Sequence, residues 1–313
     1  MGRYIVKRLL LLIPVIFGVM FIVFTIMAMT PGTPAKMILG AQATPEEVAQ
    51  LNEELGFNRP FLVRFVNYVV DALRGDFGES CNTQRPVFEE IIPRLPTTVT
   101  LAFLSVISSA LVGIPIGIVS AVKQYSFIDG FTTTVALLLA GIPGFWLGMM
   151  LILLFAVQLG WLPANGIGTW KHYVLPTLTL CLTGSSVLIR VTRTMMLETI
   201  RQDYIRTARA KGVPGFKVIF GHALKNSLIP VITYFGPMLA YIVTGSIVVE
   251  QIFAVPGIGR AFVNSITGRD YPLIMGTTII LACLIIIMNL VSDLLYKIVD
   301  PADRTGLRRR EHG

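Results

Sequence analysis

Charge is the first thing this sequence is short of. Asp, Glu, Lys and Arg make up 14% of its 313 residues, where soluble domains carry about a quarter. Histidine is scarce too. His172, His222 and His312 stand apart, with no His-Glu-x-x-His helix and no metal-ligand spacing. None falls inside an apolar block, where a membrane hydrolase would keep its general base. Three cysteines make no disulfide framework, and Cys181 and Cys283 read as small apolar filler. No Gly-x4-Gly-Lys-Ser/Thr run occurs, so the chain has no phosphate-cradling loop of its own. Gly257 and Gly259 form a bare Gly-x-Gly, without a third glycine or a preceding strand, which excludes a dinucleotide site. The expectation is a non-enzyme that binds no cofactor or metal itself. A proton-driven carrier would keep ionisable groups at mid-membrane; Asp293, one turn before Lys297, reads instead as an i, i+4 pair.

What the sequence has is apolar length. Hydrophobic residues make up 54% of the chain and gather into six blocks, at 9–29, 99–121, 131–157, 174–191, 228–249 and 273–295. Each is close to the ~20 residues that cross a bilayer as a helix. A hydrocarbon solvent leaves backbone polar groups no other option. The expected fold is an all-α polytopic membrane protein with about six transmembrane helices.

The net charge of +8 records topology rather than nucleic-acid binding. Arg3, Lys7, Arg8, Lys123, the bases from Arg190 to Lys225, Lys297 and those from Arg304 to Arg310 share one side if the blocks alternate. The longest opposite segment carries more acids than bases. By the positive-inside rule both termini are cytoplasmic. Residues 1–30 read as a retained signal-anchor, because no small-x-small cleavage site follows the long apolar run. Residues 31–97 form an extracytoplasmic segment, 98–299 a five-helix core, and 300–313 a basic cytoplasmic tail with no assigned role.

The outer segment predicts two helices. Thr44 and Glu47 fit a capping box, Pro45 takes the first helical position, Val48, Leu51 and Leu55 make a stripe, and Gly56 stops it. A second helix runs from Pro60 to Leu73, burying Phe61, Phe65 and Val69, with Gly75 after it. With little core of their own, both are expected to pack on the outer ends of the spans. Within the spans, Gly113, Pro115, Gly117, Gly141, Pro143, Gly144 and Gly148 allow two readings. One is close helix packing; the other makes Gly141, Pro143 and Gly144 a hinge. Between the last two blocks, Pro256-Gly257 signals a turn and 261–266 a short helix. Glu250, Phe253, Pro256, Gly257, Gly259 and Arg260 form a candidate outer gate, with an inert loop as the alternative.

A polar hairpin interrupts the apolar pattern at "YIRTARAKGVPGFKVIFGHALKNSLIP". Tyr204, Ile205 and Ala208 make one apolar stripe, with Arg206 and Arg209 turned away. Phe216, Ile219, Phe220 and Ala223 make a second, opposite Lys217, Gly221 and Lys225. Gly212 stands where a helix ends in a left-handed residue. The hairpin is either an interfacial element on anionic lipid or a docking element for a partner.

The spacing of Ala208, Gly212 and Leu224 resembles the E-A-A-x3-G-x9-I-x-L-P signature of ABC-importer permeases. Arg206 replaces the Glu, Thr207 the first Ala, His222 the Ile and Lys225 the Pro. "DYIRTARAKG" with "HALKNSLIPV" is similar to the variant in the dipeptide/oligopeptide permease family, B-type subunit. "GDFGES" (75–80), "RPV" (85–87), "GWLP" (160–163), "LPTLTL" (175–180), "VVEQIFAVPGIGR" (248–260) and "RDYP" (269–272) resemble it as well.

The resemblance implies an ABC importer (type I) permease fold in a bacterial cytoplasmic membrane. It makes 196–226 a coupling loop whose Tyr204, Arg206, Thr207, Ala208, Arg209, Lys211, Gly212, Phe216, His222, Leu224 and Lys225 meet the ATPase. It also implies as partners a sister permease in a heterodimer, two ATPase subunits that use ATP and Mg, and an extracytoplasmic solute-binding protein. The implied cargo is dipeptides or oligopeptides. Nickel and glutathione importers fall in the same family, and Met149, Met150, Met238 and Met275 offer soft ligands for a metal. A secondary carrier, a channel or a scaffold is the reading from other classes.

Overall fold

The computed structural model describes residues 2–29, 35, 39, 42–54 and 56–299, without the side chains of 2–9, 54, 229, 236, 293 and 295–299. Leu55, the Asp293–Lys297 pair and the tail at 300–313 lie outside what is described. Among the described residues the chain is helical, with one isolated β-bridge between Glu79 and Pro86. It divides into two units, Met1–Thr98 with Pro256–Ile286, and Val99–Val255 with Ile287–Gly313.

In the first unit, α1 (Gly2–Met29) is the N-terminal apolar helix. Helix α2 (Pro45–Glu54) starts on the expected capping box. The Thr44 amide donates to Glu47 Oε2 at 2.8 Å and the Glu47 amide to Thr44 Oγ1 at 3.3 Å, which satisfies two orphan donors at once. Gly56 and Gly75 adopt positive φ of 71° and 85°, the stops the sequence predicts. Helix α3 (Phe61–Leu73) buries Phe65 in an aromatic cluster with Phe17, Phe21 and Phe24 of α1. Helix α4 (Val87–Ile91) continues through a 3-10 turn at Ile92–Arg94 into α5 (Leu95–Val122).

Two motifs far apart in sequence interlock here. Buried Asp270, of the "RDYP" motif, accepts from Ser80 Oγ at 2.5 Å and from the Cys81 and Asn82 amides at 3.2 and 3.4 Å. It also accepts from the Leu273 amide at 3.2 Å, capping α14 (Tyr271–Val299). One carboxylate thus ties the "GDFGES" loop to the start of the last helix. Helix α13 (Ile258–Thr267) completes this unit. It is longer than the 261–266 expected, because the Ile258 amide finds an acceptor in Thr98 Oγ1 at 2.9 Å.

The second unit is built around α8 (Lys171–Ile200). Its buried hydroxyls on Thr179, Ser185 and Ser186 each donate one turn back along the helix. These three hydroxyls are thereby satisfied without water. Helix α5 crosses α8 on a stripe of small residues, Ser109, Gly113 and Gly117. A Cβ on Gly113 would stand 2.7 Å from Leu188 Cβ, and one on Gly117 2.8 Å from the Ile189 carbonyl oxygen. Here the close-packing reading of these glycines holds. Small residues at every fourth position let two backbones approach, which is how helices associate in lipid.

The third block is not one rod. Helix α6 (Phe127–Gly141) and helix α7 (Gly144–Leu151), extended by a π-helical stretch at Ile152–Gln158, meet at a bend of 103°. The fifth block is likewise divided. A single turn α10 (Gly215–Lys217), a π-helical stretch (Val218–Ala223) and α11 (Leu224–Thr233) precede α12 (Phe235–Ile252). Among the described residues four helices are long and apolar enough to cross a membrane, or up to six spans if each bent pair counts as one.

Candidate functional site

The polar hairpin is the most completely built of the predicted sites. Helix α9 (Asp203–Ala210) ends in a Schellman turn. The Gly212 amide donates to the Arg209 carbonyl at 3.0 Å and the Val213 amide to the Ala208 carbonyl at 3.2 Å. Gly212 carries the required positive φ, 75°. Ile205, Val218 and Ala223 are buried in one cluster with Ile118 and Ala121 of α5 and Met196 of α8, with Ala208, Val213 and Leu224 packed against its edge. Asn226 Nδ2 donates to Tyr204 Oη at 2.9 Å, stapling the two arms. A rigid seam therefore fixes the hairpin to the ends of two long helices.

One predicted face needs correction. Phe216 and Phe220 are not in that seam: they are 72% and 44% exposed, with ring centroids 4.4 Å apart. The π-helical winding of Val218–Ala223 is the reason. Its wider turn rotates successive side chains less than 100° per residue, so Val218 and Ala223 take the inner positions. Tyr204 is also partly exposed. Arg206, Thr207, Arg209, Lys211, His222 and Lys225 are all exposed, so the hairpin presents an aromatic pair and several bases.

The other candidates fare differently. Gly141, Pro143 and Gly144 lie at the 103° break, where Ile142 is extended at φ −79°, ψ 127°. A Cβ on either glycine would meet nothing within 4 Å, so the break comes from proline and not from crowding. Of the gate residues, Glu250 and Phe253 are fully buried in the second unit. Phe253 lies against Gly148 and its carbonyl accepts from the Gly166 amide at 2.9 Å. Neither side chain is exposed within this chain. Pro256, Gly257, Gly259 and Arg260 belong to the first unit, buried or half-buried. Gly257 is extended at φ −100°; the left-handed residue of the turn is Ala254, at φ 50°.

One buried ion pair carries no sequence signal of its pairing. Asp129, on α6, is buried and holds Arg193 of α8 by two bonds, Nε–Oδ1 at 2.6 Å and Nη2–Oδ2 at 2.9 Å. Ser120 Oγ at 2.6 Å and the Tyr125 amide at 2.9 Å also donate to the carboxylate. Ser126-x-x-Asp129 is a capping pattern that could have been noticed, and Ser126 Oγ does accept from the Asp129 amide. A partner 64 residues away could not. Nearby, a groove of 380 Å³ is lined by Ile142, Thr183, Ser186, Arg190, Tyr234 and Tyr241 among others. No three His, Cys, Asp or Glu side chains gather into a metal site among the described residues.

A family model described as "Binding-protein-dependent transport system inner membrane component" matches residues 113–304, and that of the N-terminal membrane component of such systems matches 1–102. The chain belongs to this family. The permease is 42% identical over 304 residues to the glutathione transport system permease protein GsiC of Salmonella typhimurium (strain LT2), covering 97% of this chain and 99% of that protein. It is 40% identical, with the same coverage, to GsiC of Escherichia coli (strain K12). Among solved structures it shares its fold with the inward-facing MetNI methionine ABC transporter, at TM-score 0.58 and 17% identity over 67% of this chain and 95% of that one. A second crystal form of MetNI gives 0.57 and 18%. The permease is thus a multi-pass protein of a bacterial inner membrane and the membrane subunit of an ABC importer.

Proposed function

We propose that this permease imports short peptides, and that loop 196–226 carries the motion of separate ATPase subunits into the spans. The observation that carries the coupling is the hairpin's two-sidedness. Its apolar seam is sealed onto α5 and α8, while Phe216, Phe220 and several bases face outward. A helix held rigidly on one face and docked on the other transmits rigid-body movement. On this reading the hairpin is cytoplasmic, as are both termini. A sister permease and a solute-binding protein complete the transporter, and ATP with Mg is used by the ATPases. Closure of the ATPase pair then shifts the permease pair between inward- and outward-facing states.

Arg190 supports the cargo class. It lies in the groove beside Tyr241 and Thr183, exposed and without an ion-pair partner among the described residues. A guanidinium in that position suits a carboxylate, which every free peptide carries. Glutathione is the second reading, favoured by what the GsiC relatives are named for; it is itself a tripeptide with two carboxylates. The test is ATP-dependent uptake of a labelled tripeptide by proteoliposomes holding the full transporter, with unlabelled dipeptides, glutathione and nickel as competitors. Competition by α-linked peptides is expected. Competition by glutathione alone would narrow the cargo to that compound, and competition by nickel alone, or uptake that ignores ATP, would overturn the proposal.

A further inference from the structure

Helix α3 has three faces. At 100° per residue, Phe61, Phe65 and Val69 fall on one side, where Phe61 and Phe65 meet the α1 aromatics, and Tyr68 at the edge of that side also meets Phe24. Arg64, Asn67, Tyr68 and Asp71 fall on a second side and line a cavity of 690 Å³ within the first unit. Arg64 there lies over the Phe57 ring, 4.4 Å from its centroid. The third side holds Leu62, Val63, Val66, Val70 and Leu73. All five are exposed, Leu62 and Leu73 by 66% and 82%. Five adjoining apolar side chains on one short helix are not a face that water keeps.

The register of α3 on α1 says what covers it. The apolar run of α1 begins after Arg8 and ends at Met29, and at 1.5 Å per residue it is about as long as the hydrocarbon core is thick, roughly 30 Å. There are no spare residues, so α1 cannot slide outward without drawing Lys7 and Arg8 into lipid. Phe24, Phe21 and Phe17 then lie about 8, 12 and 18 Å below the Met29 boundary. Phe65 of α3 touches all three rings, at 5.5, 5.3 and 5.2 Å between centroids. A helix in contact with those rings is at the depth of the acyl chains, not beyond them. Leu10 and Ile13, on the same stripe of α1 nearer Arg8, stay exposed. Helix α3 covers only the half of that stripe nearer Met29.

We infer that α3 is immersed in the leaflet at the Met29 end of α1, with Leu62, Val66, Val70 and Leu73 against lipid acyl chains. Its opposite face, with Arg64, Asn67 and Asp71, walls the cavity. Charged side chains are admitted at that depth because the cavity gives them water. The segment after the first span is therefore partly a membrane element, a half-depth helix between lipid and an aqueous chamber, and not wholly an extramembrane appendage.

The experiment uses the assembled transporter in lipid nanodiscs, with Cys81, Cys181 and Cys283 replaced and one nitroxide at a time introduced by cysteine substitution. Val66→Cys and Leu73→Cys should show collision rates high with oxygen and low with a nickel chelate, matching Ile22→Cys on α1. Asn67→Cys should show the reverse order, matching Glu53→Cys on α2. A nickel-accessible Val66 label would put the face in water. A label shielded from both reagents would mean that a protein partner covers it. Either result overturns the inference. Val66→Trp in the otherwise native chain provides a second reading should the cysteine-free form not assemble. Lipid brominated along the acyl chain should quench the added fluorescence, and quenching no greater than that of the parent protein overturns the inference equally.

Discussion

Substituting Gly212 separates backbone strain from contact loss in the coupling hairpin. Gly212 has φ 75°, and a Cβ built on it meets nothing within 4 Å. No collision adds to the cost, which is that of the left-handed conformation alone, about 1–2 kcal/mol for an ordinary L-residue and more for a β-branched one. If valine escapes that cost by unwinding the turn, it forfeits the two Schellman bonds at 3.0 and 3.2 Å, each worth ~1 kcal/mol net. Val213 and Ala208 would then leave the apolar seam. A loss of one to two kcal/mol is small for a bundle of spans but shifts a docking element's equilibrium about 5–30-fold. Gly212→Val should therefore insert normally while losing copurifying ATPase subunits and substrate-stimulated ATP hydrolysis. Gly212→Asn, which tolerates left-handed φ, should retain most of both. Ala208→Asp should behave like valine by putting a charge at the edge of the seam, whereas Arg209→Glu, on the exposed face, should matter less. Full coupling in Gly212→Val, or an asparagine variant as impaired as the valine one, would refute the reasoning.

Four further outcomes follow from the packing and electrostatics within each unit. Gly117→Ala should destabilise the detergent-solubilised complex by about 1–3 kcal/mol, because its Cβ would stand 2.7 Å from Thr192 Cβ and 2.8 Å from a backbone oxygen. Gly130→Ala, with nothing within 4 Å of its Cβ, should leave stability unchanged or raise it by the roughly 0.5–1 kcal/mol of helix preference. Arg193→Met, by stranding the buried Asp129 carboxylate, should cost about 3–5 kcal/mol; the Arg193→Met, Asp129→Leu double variant should unfold at a higher temperature than the single one. The Cys81 thiol is pushed up to about 11 by burial and then by the Asp270 carboxylate. Alkylation needs the thiolate, so its rate should keep rising from pH 9 towards pH 11. Asp270→Asn should speed the reaction at pH 8, and a rate already level at pH 9 would contradict the assignment.

Much of this protein is legible along the chain because its strongest forces are local or set by the solvent. Blocks of about twenty apolar residues must be helices in lipid. Thr44 and Glu47 could be matched from spacing alone, since both partners of the box lie within one turn, and Gly212 could be placed at a left-handed stop for the same reason. The glycines at 113 and 117 announced a close contact through their spacing, though not that α8 would fill it.

What tertiary structure decided depended on residues far apart in sequence or on a change of helical period. Arg193 and Asp129 are two unremarkable charges until α6 and α8 meet. Ser80 and Asp270, 190 positions apart, become one capping site only when the last helix arrives beside the loop. A 3.6-residue period puts Phe216 and Phe220 on one stripe with Ala223, and the π-helical stretch splits that stripe, burying Ala223 and turning the two rings outward. The depth of α3 is of the same kind. Its composition marks an amphipathic helix, but only its contact with Phe17 and Phe21 of a span with no length to spare fixes where in the membrane it sits. Periodicity tells which residues share a face, and what that face meets is set by whichever helix, lipid or water packing brings to it.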